Sequence, residues 1–177
     1  MLLTITSPNR RKYSLYVSCL GEVMVSSISE TTVSQLLSAR GHYTVFAPTN
    51  DAIQEYLDSL VKQGIIPEAS WDAFPNERKR DSIRHVIVFN SIIDSGDDYS
   101  YYEINGLPSS TATSNSVDIP LPNMYDRKLT VQYTDVPDSI LINDCVIDFN
   151  NRDILCINGV IHAMHRSEER RVGKECL

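Results

Sequence analysis

The chain has four histidines, a few cysteines and many scattered acids with which to do chemistry. His162 and His165 suggest a metal pair, but on a strand a separation of three sends the two side chains to opposite faces, which argues against shared coordination. His42 follows Gly41 at the start of a strand pattern, and His85 lies in an apolar run. A histidine in such a setting reads as hydrogen-bonded structure rather than as a ligand. Thiol catalysis would need Cys19, Cys145 or Cys156 partly exposed beside a histidine, whereas all three sit in apolar patterns that suit buried, inert thiols. No G-x-S-x-G or H-E-x-x-H occurs, and seven glycines leave little material for a phosphate-cradling loop. The carboxylates Asp97, Asp98, Asp135, Asp138, Asp144 and Asp148 are dispersed as solvating and turn-forming residues are. The sequence therefore offers no catalytic set, no metal set and no cofactor site.

The elements that would position any site begin with Tyr43 to Ile53, YTVFAPTNDAI. Tyr43 to Phe46 are aromatic or β-branched and suit a pleated, half-buried strand; Pro48 removes a donor and holds Ala47 extended, so the strand must stop. Thr49 or Asn50 can cap a following helix, Asp51 sits near its positive end, and Ile53, Tyr56, Leu57, Leu60 and Val61 repeat at helical spacing. Upstream, Tyr13, Tyr16, Val17 and Leu20 predict a helix stopped at Gly21. Thr32 and Gln35 have capping-box spacing, with Gly41 placed to close that second helix in a left-handed conformation.

Asn76 is positioned to cap a helix through Asp81 and Ile83, and Val86 to Ile93 fits either its continuation or a buried strand. Trp71 anchors the loop before it. From Asp94 to Asn123 the composition shifts to Asp, Ser, Thr, Asn and Pro, the longest irregular stretch, with Tyr99, Tyr101 and Tyr102 at its start; long loops that carry aromatics are often functional, but the stronger reading is that the alternate tyrosines pack under the loop or form an edge strand. Leu129 to Tyr133, Ile140 to Phe149 and Ile154 to Met164 read as strands, the last split at Asn158-Gly159 by a tight turn. If Asn150 and Asn151 form a hairpin tip, Cys145 and Cys156 face each other, but at a hydrogen-bonded pair, where side chains lie farther apart; the reading is two buried free thiols. Helices early and strands late define an α+β class.

The chain has 177 residues, 42% of them hydrophobic, which is one domain's worth of core. A net charge of -7 opposes nucleic acid or an anionic membrane surface as partner. No run approaches the ~20 apolar residues needed to span a bilayer, so membrane association is expected only through an anchor outside this stretch. The last twelve residues, RSEERRVGKECL, resemble a translated sequencing-library adapter and are set aside with Cys176. The expected organisation is an extension over 1–11, a domain over 12–165 and a non-native tail over 166–177.

YTVFAPTNDAI together with INGVIH, Ile157 to His162, resembles the two signature boxes of the fasciclin domain. The resemblance covers roughly Lys12 to His165. It implies a wedge or sandwich of mostly antiparallel strands with helices packed around it, in secreted, surface-anchored or periplasmic proteins. A Tyr-His pair common between the boxes is absent here, its aligned positions holding Phe89 and Asn90. An Asp-Ile element proposed to serve adhesion in animal members is matched by Asp153-Ile154, where Ile154 also reads as core and Asp153 as a turn acceptor. The functional expectation is a non-catalytic, extracytoplasmic adhesion module, without cofactor, that binds a protein or glycan. Tyr99, Tyr101, Tyr102, Asp153 and Ile154 are the contact candidates. A small metal-dependent or glycan-active hydrolase, or a spacer in a larger surface lipoprotein, is the alternative.

Overall fold

The computed structural model describes residues 8–26, 28–39, 41–96 and 102–166. A 3-10 turn, Pro8–Tyr13, leads into α1 (Ser14–Glu22), which runs past Gly21. A small antiparallel pair, β1 (Met24–Ser26) and β2 (Thr31–Thr32), precedes α2 (Val33–Ser38), and the capping box forms: Thr32 Oγ1 accepts from Gln35 N, and Gln35 Oε1 accepts from Thr32 N. β3 (Tyr43–Pro48) is buried along its whole length and passes directly into α3 (Asn50–Lys62), with Thr49 as the N-cap accepting from Ala52 N.

After a 3-10 turn at Trp71–Ala73, α4 (Glu77–Asn90) is capped by Asn76 and gives way at Ser91 to β4 (Ile92–Asp94). The apolar run Val86 to Ile93 is thus helix first and strand last. The expected irregular stretch holds a 3-10 turn at Ile104–Gly106 and a strand, β5 (Ser116–Pro122). Its two prolines fit because β5 forms the edge of the sheet. β6 (Lys128–Tyr133), β7 (Ile140–Ile142), β8 (Cys145–Ile147), β9 (Ile154–Cys156) and β10 (Gly159–Arg166) follow.

Among the described residues the large sheet has eight strands in the order β4-β3-β10-β8-β7-β6-β5, with β9 on β10. Every pairing in it is antiparallel except the central one: β10 runs parallel to β3, with Gly159 opposite Tyr43 and Met164 opposite Pro48. The two sequence boxes are therefore neighbours at the middle of the wedge. Parallel strands are normally covered on both faces, and here β3 and β10 are the wall between two cores. Tyr43, Val45, Ala47, Ile161 and Ala163 face a helix-side cluster with Tyr16, Leu37, Ile53 and Leu57. Phe46 and Met164 face a second cluster with Ile119, Leu129, Val131 and Ile142.

Two expectations are corrected. Gly41 does not close α2 in a left-handed cap. The helix ends at extended Ala39, whose N–H reaches Leu36 O, and Asn158 Nδ2 donates to the carbonyls of Leu37 and Ala39 at 3.1 and 2.9 Å. The Asn150-Asn151 hairpin does not form either, because Asn143 and Asp144, with φ of 48° and 69°, take up the β7–β8 turn instead. Cys145 then lies opposite Arg166, and Cys156 opposite Gly159. Cys19 and Cys156 are free thiols, but Cys145 is disulfide-bonded and so is not the free thiol expected.

Asn50 has more reach than a local cap. Its Oδ1 accepts from Leu15 N at 2.9 Å, while Nδ2 donates to Arg11 O at 2.6 Å and Ser14 Oγ at 2.9 Å. It supplies from α3 the cap that Tyr13, the N-cap residue of α1, cannot provide. Asn50→Ala should therefore lower the unfolding free energy by about 1.5 kcal/mol, as for lost side-chain caps elsewhere. Asn50→Asp, which keeps the acceptor and loses the donor, should lower it by less; urea unfolding of the three proteins checks the order.

Candidate functional site

The middle of the β3–β10 pair holds a polar cluster inside the apolar wall. Thr44 and His162 are both fully buried. His162 Nδ1 accepts from the N–H of Asp153 at 3.1 Å, which leaves Nε2 as the protonated nitrogen, donating to Tyr102 O at 2.8 Å. The ring stacks on Phe46 with centroids 5.5 Å apart. Burial holds its pKa below the ordinary histidine value, against smaller opposing effects of the Tyr102 carbonyl and Asp153. Thr44 Oγ1 accepts from Tyr102 N at 2.8 Å, so Tyr102 is tied to both central strands through its backbone.

The contact candidates fall into two groups. Tyr99 and Tyr101 lie outside the described residues. Tyr102, Asp153 and Ile154 are drawn into this cluster. The half-buried Tyr102 packs against the second core. Asp153 has φ of 49° and its Oδ1 accepts from Ile104 N at 2.8 Å, which pins the turn at Ile104–Gly106. Ile154 pairs with Ile161 and packs against the helix-side core. Both nitrogens of His162 are engaged with backbone groups, so the ring offers no lone pair to a substrate.

His162 and His165 do diverge, the first buried and the second exposed. The sequence reading missed the long-range work of His162, Thr44, Asn50 and Asn158. A histidine inside a nearly continuous apolar run was the available signal for the first, since burying imidazole demands partners. Nothing in the sequence marks which backbone groups those partners are.

A cleft of about 230 Å³ opens where the end of α4 meets the second core. Phe46, Ile87, Leu129, Ile142 and Met164 give it an apolar body, and Asn90, Asn123, Arg127 and Lys128 contribute polar groups. Asn123 fixes this wall: its Nδ2 donates to the main-chain and side-chain oxygens of Asn90, both at 3.2 Å, and its Oδ1 accepts from Tyr125 N and Arg127 N, both at 3.0 Å. Phe89 packs against His85 with its ring tilted by 32° and centroids 3.9 Å apart, and Tyr125 is edge-on to the same imidazole. Burial lowers the His85 pKa as well.

Among known families, the fasciclin domain matches residues 22–81. The structure resembles a solved FAS1 domain pair from the insect cell adhesion molecule fasciclin I, with a TM-score of 0.53 at 12% identity, covering 89% of this chain and 45% of that one. The chain thus spans less than half the length of that pair, and the likeness is one of fold. A search of curated proteins found no match.

Proposed function

We propose, from the fasciclin-domain match over residues 22–81 and the shared fold, that the chain is a non-catalytic adhesion or interaction module that works outside the cytoplasm and binds a protein or glycan at a cell surface. The observation that carries the reading is the likeness to a domain pair from a cell adhesion molecule. The central cluster supports it, because the one fully buried imidazole is committed to holding backbone in place. Fold alone does not specify a ligand.

Tyr99 and Tyr101 are the contact residues to test first, since tyrosine offers large contact area at low entropic cost. Replacing both with Ala should weaken capture of the purified chain on immobilised matrix proteins or a glycan array, with the melting temperature nearly unchanged. Tyr102→Ala should do the reverse, lowering the melting temperature because its ring packs against the second core. Undiminished capture by the double variant would remove Tyr99 and Tyr101 from the binding surface.

A further inference from the structure

We propose that the cleft between the end of α4 and the second core is a binding site for a small amphipathic carboxylate of about ten heavy atoms in all, an apolar body bearing one anionic head. The size follows from the volume. A dry cavity of about 150 Å³ holds a benzene, so 230 Å³ accommodates a ligand somewhat larger. Its interior is built from side chains of β3, α3, α4, β6, β7, β8 and β10, including the disulfide-bonded Cys145, elements held by the sheet and by the Asn123 clamp, so the cleft is formed before any ligand arrives.

The sign of the head group follows from charge. The protein carries 23 acidic against 16 basic residues, yet no Asp or Glu lines this cleft, whereas Arg127 and Lys128 do. Both are exposed, and among the described residues neither is in an ion pair; Arg127 lies over the Tyr125 ring at 5.2 Å. In an acidic protein, two cations in no ion pair among the described residues, at the rim of an apolar cleft that no carboxylate lines, favour a ligand whose buried part is apolar and whose exposed end is negative. The amide groups of Asn90 and Asn143 add polar partners beside the apolar interior. Among the described residues no tyrosine lines this cleft, and the proposal stands whether or not Tyr99 and Tyr101 bind a partner.

Octanoate is the probe, with octylamine as the charge control. Titration of octanoate followed by methyl NMR should shift Ile87, Leu129, Ile142 and Met164 together, with a dissociation constant on the order of 0.1–1 mM for a ligand of this size. Octylamine should bind at least tenfold more weakly. The double variant Arg127→Glu, Lys128→Glu changes only exposed side chains and should weaken octanoate at least tenfold while leaving the unliganded methyl spectrum in place. Equal binding of octanoate and octylamine, shifts confined to other methyls, or no shifts at 10 mM octanoate would each overturn the proposal.

Discussion

Gly159→Ala should unfold more easily than the parent protein by about 3 kcal/mol or more, at the upper end of what overpacking costs. A Cβ built on Gly159 would stand 2.1 Å from the carbonyl oxygen of Tyr43 and 3.0 and 3.1 Å from its carbonyl carbon and nitrogen. Those are backbone atoms of the neighbouring strand, and no rotamer change relieves the overlap. The strand would have to move, and it cannot move alone: Tyr43 N donates to Asn158 O at 3.0 Å, and β3 is buried on both faces. Opening this contact breaks the parallel pair at its first register position and loosens Asn158 from the end of α2. The comparison that isolates the effect is Gly21→Ala. Gly21 lies exposed in α1 with nothing within 4 Å of a built Cβ, so alanine there should stabilise by about 0.5–1 kcal/mol through helix propensity. Urea unfolding of both variants gives the two signs; a near-neutral Gly159→Ala would mean that the central pair is looser than its geometry.

How much of this was legible in the sequence depends on whether a residue acts locally. Thr32 with Gln35, Thr49 before α3 and Asn76 before α4 cap the amides three residues on, and spacing suffices to read them. Gly159 was legible as a turn residue, but its φ is not in the left-handed region; what requires glycine is the approach of Tyr43, far away in sequence. Asn50 and Asn158 follow the same rule. Each sits in a box that reads as local punctuation, and each spends its side chain on a helix elsewhere, Asn50 at the start of α1 and Asn158 at the end of α2. The two boxes thus hold the early helices onto the central pair, which explains their residue types without any chemistry. The parallel pairing was hidden because strand patterns carry no direction. The cleft was hidden because its walls come from elements far apart in the chain, joined through Asn123, which composition alone placed in a loop.

His162→Leu should lower the unfolding free energy by about 3 kcal/mol at neutral pH, and the gap between variant and parent should narrow as the solution is acidified. The first part follows from the hydrogen bonds. Leucine fills much of the space but leaves the part-buried N–H of Asp153 and carbonyl of Tyr102 without partners, and each group orphaned away from water costs roughly 1–3 kcal/mol. Asp153 is held at φ 49° by these contacts, so its hold on Ile104 N is weakened as well. The pH dependence follows from the depressed histidine pKa. In the folded protein burial keeps His162 neutral, while the unfolded chain takes up a proton near pH 6.5. Below that pH the unfolded state binds more protons than the folded one, so the stability contributed by the neutral imidazole is complete above about 6.5 and declines as pH falls through that value towards the lowered folded pKa. Folded-state protonation would also aim an Nδ1–H at the Asp153 N–H, donor against donor. Leucine has no such dependence, and His85, also depressed by burial, contributes equally to both proteins and cancels in their difference. Urea unfolding of parent and variant between pH 7.5 and 5 measures that difference directly. A gap that stays constant across the range would show that His162 does not titrate there, and one below about 1 kcal/mol at pH 7.5 would show that Asp153 and Tyr102 find other partners.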